Sequence, residues 1–151
     1  ANWEVLSRIL PYKTDAGSGS LEQMALAEFC KENFNSHVKT LKNKLQKKSE
    51  AICNALDKYF GSSAEYKKPD GGIFVWVDMH KKVDTSRLYE LALKDGVAIN
   101  PGNEWSINKS GRHKMRLCFG NPSIKEIDEG IKRLAIICRK EFGIPTKIAN
   151  L

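Results

Sequence analysis

The sequence has 151 residues, about one domain, and its 41% apolar content permits a real core and excludes a disordered tail. No window approaches the ~18 uninterrupted apolar residues of a membrane span, and no leading stretch has the charged-then-apolar pattern of a signal peptide. A net charge of +7, from 25 Lys and Arg against 18 Asp and Glu, makes nucleic acid or an acidic surface a legitimate first thought.

The chain opens on Ala1 and runs at once into Trp3, Val5, Leu6, Ile9 and Leu10, a beginning expected of the middle of a protein. Residues 1–19 read as an irregular lead-in, with a turn-forming Gly/Ser stretch from Asp15. Ser20 and Gln23 have capping-box spacing and predict a helix start. Leu21, Met24, Ala25, Leu26, Ala27, Phe29 and Cys30 make that helix apolar nearly all round, which predicts burial, on protein outside this chain if not within it. A second helix is predicted over 36–60, where Val38, Leu41, Leu45, Ile52, Leu56 and Tyr59 recur at helical steps and Gly61 ends the run. Lys39, Lys42, Lys44, Lys47 and Lys48 read as its solvated face, since no aromatic residues interleave with them to stack on bases.

A short strand is expected at 65–67. The run Ile73-Phe74-Val75-Trp76-Val77 reads as a central strand covered on both faces. Asp84 caps a short helix that turns Leu88, Leu91 and Ala92 inward, Gly96 closes it, and 97–99 reads as a short strand. A polar loop runs from Pro101 to Arg112, then 114–119 alternates as a strand. Ser123 and Glu126 form a second capping box, opening a helix marked by Ile124, Ile127, Ile131, Leu134 and Cys138 and stopped by Gly143 and Pro145. The fold class is α+β: a small mixed or antiparallel sheet of three to four strands packed against helices, preceded by long helices.

Cys30, Cys53 and Cys138 fall in helical apolar patterns and read as small buried hydrophobes of a reducing compartment, pointing to the cytoplasm. Neither cysteine nor histidine spacing makes a metal site. Arg116 is the leading candidate for chemistry. Alternation puts Met115, Leu117 and Phe119 on one sheet face and Arg116 on the other with Lys114 and Cys118. An arginine amid apolar strand residues needs a partner, and its planar fork suits a carboxylate, either a ligand's or one of its own chain such as Glu104. Pro69-Asp70-Gly71-Gly72 before a strand means a turn or a close approach of ligand to backbone. Ser106 and Lys109 match a serine–lysine spacing but lie in a polar loop, and His37, His80 and His113 are scattered.

Four segments stand in order: Pro69-Asp70-Gly71-Gly72-Ile73-Phe74-Val75-Trp76, Gly96-Val97-Ala98-Ile99-Asn100-Pro101-Gly102, Arg116-Leu117-Cys118-Phe119 and Glu129-Gly130-Ile131-Lys132-Arg133-Leu134. Together they resemble the C-terminal end of class I/II aminotransferases, the fold-type I enzymes of pyridoxal phosphate. The wording is nearest the branch of aminoadipate and broad-specificity amino-acid aminotransferases. The resemblance covers nearly the whole chain. It implies that residues 1–35 end the large-domain region and connecting helix, 36–143 form the C-terminal small domain, and 144–151 are a tail. It implies a substrate-binding role for Arg116, on the α-carboxylate of an amino acid, and for Gly71 and Gly72, lining the pocket.

The family's Schiff-base lysine, in S-x-x-K followed by G-x-R-x-G, has no counterpart here. No catalytic and no cofactor-binding residue is therefore expected in this chain, and no cofactor on the chain alone. The parent would be an enzyme using pyridoxal 5'-phosphate on amino acid and 2-oxo acid substrates, a homodimer with no membrane and no specific nucleic-acid partner. Two other readings stand beside it: an effector-sensing aminotransferase-like domain of a transcription regulator, and a stand-alone basic α+β nucleic-acid-binding module.

Overall fold

The computed structural model describes residues 2–9, 19–106 and 110–147; Leu10, the turn stretch at 15–18 and Lys109 lie outside them. The chain divides into two compact units, Ala1–Thr40 and Leu41–Leu151. In the first, helix α1 (Trp3–Ile9) replaces the expected irregular lead-in. Asn2 Oδ1 accepts from the Glu4 N–H at 2.9 Å, and Arg8 pairs with Glu4 at 3.1 Å, so a side-chain cap and one turn-spaced ion pair support the short helix.

Helix α2 (Ser20–Tyr59) is continuous where two helices were expected. No glycine or proline interrupts 20–59. Polar side chains between the two expected segments bond to the helix's own carbonyls: Asn33 to Phe29, Ser36 to Asn33 and Thr40 to Ser36, at 3.0–3.2 Å. Ser20 is already helical, and the Gln23 N–H donates to Gly19 O at 3.1 Å, so the helix starts one residue earlier than the capping-box reading placed it. Leu21, Met24 and Leu26 are 78%, 70% and 61% exposed, so of the two places expected to bury this helix, the chain itself does not do so. An apolar helix face tells of a surface needing cover, not of which residues supply it.

In the second unit, β1 (Ala64–Tyr66), β2 (Phe74–Met79), β3 (Asn100–Pro101) and β4 (Lys114–Cys118) form one antiparallel sheet ordered β1-β2-β4-β3. Together with α3 (Thr85–Lys94), α4 (Ile124–Phe142) and the end of α2 they build an α+β core. Val75, Val77, Met79, Met115 and Leu117 from the sheet meet Ile52, Leu56, Leu88, Ala92, Ile131 and Leu134 from the helices. Asp84 accepts from the N–H groups of Ser86 and Arg87, and the Ser123–Glu126 capping box is complete.

Two strand expectations are corrected. β3 lies at 100–101 rather than 97–99, because the Val97 N–H turns back to Ala92 O at 2.8 Å and finishes α3 before the chain extends. The apolar run in β2 is covered on one face, not both: Phe74 is 38% and Trp76 40% exposed. On that open face the Phe74 ring contacts a side chain of the neighbouring strand rather than a second layer.

Candidate functional site

That side chain is Arg116. The register places Trp76, Arg116 and Asn100 in one row across β2, β4 and β3. Alternation along β4 buries Met115 and Leu117 and sends Arg116 to the open face. There its Cζ lies 4.0 Å from the Phe74 ring centroid and 4.0 Å from that of Trp105. Its Nη2 donates to Asn100 Oδ1 at a long 3.4 Å, and its Nε is buried with no hydrogen-bond partner.

Among the described residues Arg116 has no carboxylate partner, so the internal pairing with Glu104 is not formed. Neighbouring cations do have partners: Lys114 meets Asp78 at 3.2 Å, with His113 also on Asp78 at 3.3 Å, and Arg112 meets Asp84 at 3.0 Å. The open face therefore carries a planar cation restrained by rings, with no counter-ion among the described residues. Such a group suits a bidentate anion, above all a carboxylate. Next to Trp105 an open cavity of about 480 Å³ has Trp76 and Trp105 as walls, with Ser106 and Lys114, although Arg116 itself does not line it.

Gly71 and Gly72 lie elsewhere. They border an open groove of about 530 Å³ with Lys42, Ser49, Lys68 and Phe119, which Arg116 does not line. Gly72 has φ +79°, a conformation that favours glycine, while a Cβ on either residue would meet nothing within 4 Å. The turn thus accounts for Gly72, and the chain's own packing does not require Gly71.

The remaining candidates stay apart. His37 sits edge-on to Phe29, and His80 Nδ1 accepts from the Lys82 N–H. Ser106 Oγ is 3.0 Å from Ser110 Oγ, while its motif partner Lys109 is outside the described residues. No group of His, Cys, Asp and Glu among the described residues could hold a metal, and no described helix is long and apolar enough to cross a membrane. Lys39, Lys42, Lys44 and Lys47 are exposed, but Lys48 is half-buried and donates to the carbonyls of Gly120 and Asn121. Cys53 and Cys138 are buried, Cys30 is half-buried, and burial pushes the Cys138 thiol up to about 12.

Sequence reasoning missed Asn100, Phe74 and Trp105 as neighbours of Arg116. Asn100 was within reach of a correct β3 register; Trp105 sits in a short 3-10 turn after Pro101 that no periodicity announces.

A family model described as aminotransferase class I and II matches residues 5–134. The 2-aminoadipate transaminase of Thermus thermophilus is 30% identical over 136 residues, covering 89% of this chain and 34% of that protein. An uncharacterized HTH-type transcriptional regulator of Bacillus subtilis is 32% identical over 139 residues, covering 90% of this chain and 28% of the regulator. A crystal structure of α-aminoadipate aminotransferase from Thermus thermophilus, complexed with N-(5'-phosphopyridoxyl)-L-leucine, matches with a TM-score of 0.76 at 29% identity, covering 93% of this chain and 36% of that one. The chain thus spans about a third of the length of such relatives.

Proposed function

Because this chain belongs to the class I and II aminotransferase family, we propose that it is the C-terminal part of a pyridoxal-phosphate-dependent aminotransferase and supplies the arginine that grips the substrate's α-carboxylate. The observation that carries this reading is Arg116 itself: oriented on an open sheet face, stacked on two rings, and without a counter-ion among the described residues. In the parent the substrates are an amino acid and a 2-oxo acid. Residues 1–35 complete the large-domain region and 36–143 form the small domain. The reading extends to a homodimer of the cytoplasm, in keeping with four free cysteines, and to Gly71 and Gly72 as pocket lining.

Pyridoxal phosphate supplies an electron sink for the amino acid's Cα when it is bound. It needs a lysine to hold it and donors for its phosphate. The described residues around Arg116 do not fit it: Lys114 is engaged by Asp78 at 3.2 Å, and the remaining contacts are aromatic rings and one amide. We therefore assign the cofactor's contacts to protein beyond this chain, and to this chain the binding and orienting of the carboxylate end. With the carboxylate held at the Arg116 Nη groups, the substrate is fixed at one end and its reacting carbon is presented in a single orientation.

The test is kinetic. Arg116→Ala in the protein that carries this chain is compared with the unsubstituted protein on amino acids and on amines without a carboxylate; normal amino-acid turnover in the variant overturns the assignment. Similarity to the Bacillus subtilis regulator favours a second reading, in which the same grip senses an amino-acid effector. Catalytic turnover by the intact protein separates the two. The nucleic-acid module has no comparable support.

A further inference from the structure

A guanidinium that must meet a carboxylate needs to be held in place without being neutralised beforehand. Other cations near this sheet are steered by ion pairs, Lys114 by Asp78 and Arg112 by Asp84. Arg116 is steered otherwise. Its Nε is buried and unpartnered, its hydrogen bond to Asn100 Oδ1 is long at 3.4 Å, and its close contacts are the Phe74 and Trp105 rings, each 4.0 Å from Cζ. Aromatic faces attract a planar cation and restrict its rotation while leaving its positive charge uncompensated. An internal carboxylate would orient the fork equally well, but an incoming substrate would have to displace it.

The two rings have no packing role that would explain them. Trp105 is 55% exposed and Phe74 38%, and neither belongs to the core formed by the sheet's inner face and the helices. Trp105 reaches Arg116 from a turn outside the sheet, after Pro101 has passed β4. Resting on the reading of Arg116 as the carboxylate grip, we propose that Phe74 and Trp105 are its positioning residues: they hold the guanidinium by stacking, so that the Nη groups stay charged, oriented and open to substrate. Asn100 completes the arrangement by restraining Nη2 from the β3 side.

The experiment uses the full-length protein that carries this chain, with Arg116→Ala, Trp105→Ala, Trp105→Phe and Phe74→Leu. KM and kcat are measured separately for amino acids and for a carboxylate-free amine, and thermal melting is recorded for each variant. Trp105→Ala raises KM for amino acids about tenfold, with kcat and amine kinetics little changed, because a loosened fork must be reordered on each binding event. Trp105→Phe restores most of the loss, since it returns an aromatic face. Phe74→Leu, which keeps bulk and loses that face, raises KM in the same selective way. If Arg116→Ala abolishes amino-acid selectivity while Trp105→Ala and Phe74→Leu leave KM unchanged, the grip stands and the positioning role is wrong. If Trp105→Ala impairs the amine as much as amino acids, the ring is a general wall of the cavity and the proposal is overturned. If Arg116→Ala changes nothing, the grip itself fails and the inference falls with it.

Discussion

At the scale of single residues, the worth of Arg116 is set by what it would hold. Replacing it with alanine removes two charge-assisted hydrogen bonds from a partly dehydrated site. At ~1.5–3 kcal/mol each, the loss in kcat/KM for amino acids is on the order of a hundredfold or more. Arg116→Lys rescues poorly, because it keeps the charge and gives up the fork that the rings align. The paired glycines allow a cleaner separation of backbone from ligand. Gly72 has φ +79° and open space around a would-be Cβ, so Gly72→Ala costs about 1–2 kcal/mol of folding stability through backbone strain alone. Gly71 has neither a positive φ nor a close neighbour, so Gly71→Ala leaves the melting temperature nearly unchanged. A raised KM in the Gly71 variant would then report a ligand approaching that backbone, and an unchanged KM removes Gly71 from the binding residues.

At the scale of elements, the end of α2 is tied to α4 by a polar contact that makes stability depend on pH. The Tyr59 hydroxyl donates to Asp128 at 2.8 Å and Lys58 approaches the same carboxylate at 3.1 Å; the tyrosine first and the lysine second hold Asp128 below the usual carboxylate range. A depressed carboxylate contributes stability that is present above its unfolded value and lost as pH falls through its folded one, so the contribution begins to decline below about pH 4 and is gone only below the depressed folded value. Asp128→Asn therefore lowers stability at pH 7 by roughly 1 kcal/mol, discounted because the carboxylate is half exposed. The gap to the unsubstituted protein narrows as pH falls from 7 to below about 4, as urea unfolding across that range would show; a gap that does not narrow in acid would mean the asparagine harms packing instead.

The elements that could be read from the residues were those with strong local signals. α4 was legible because a capping box, a clean apolar stripe and a left-handed glycine at Gly143 agree. β4 was legible because Met115 and Leu117 alternate with Lys114 and Arg116, and the same alternation placed the arginine. The continuity of α2 was not, since polar residues at 33–36 break helices or support them depending on which carbonyl they find. The open face of β2 was not, because Phe74 and Trp76 carry the same hydrophobic signal whether they meet a second layer or lie on a face shared with a guanidinium. Stacking partners such as Trp105 are set by where a turn ends in space, which no periodicity encodes.

At the scale of the whole molecule, the first half of α2 exposes several large apolar side chains. Leu21, Met24, Leu26, Phe29 and Phe34 on α2 are all between 43% and 78% exposed. Exposed large apolar side chains in this number promote association. The purified 151-residue chain should therefore self-associate or bind a hydrophobic dye, as light scattering and dye emission would show; a clean monomer with little dye binding would count against this. The aromatic face has a consequence of another kind. Of three tryptophans, two, Trp76 and Trp105, wall one open cavity, and the third, Trp3, is far along the chain and 72% exposed. An anion arriving at the guanidinium alters the charge 4.0 Å from the Trp105 indole. The protein's own ultraviolet emission is thus a built-in optical signal of occupancy, with Trp3 as its background and no label required.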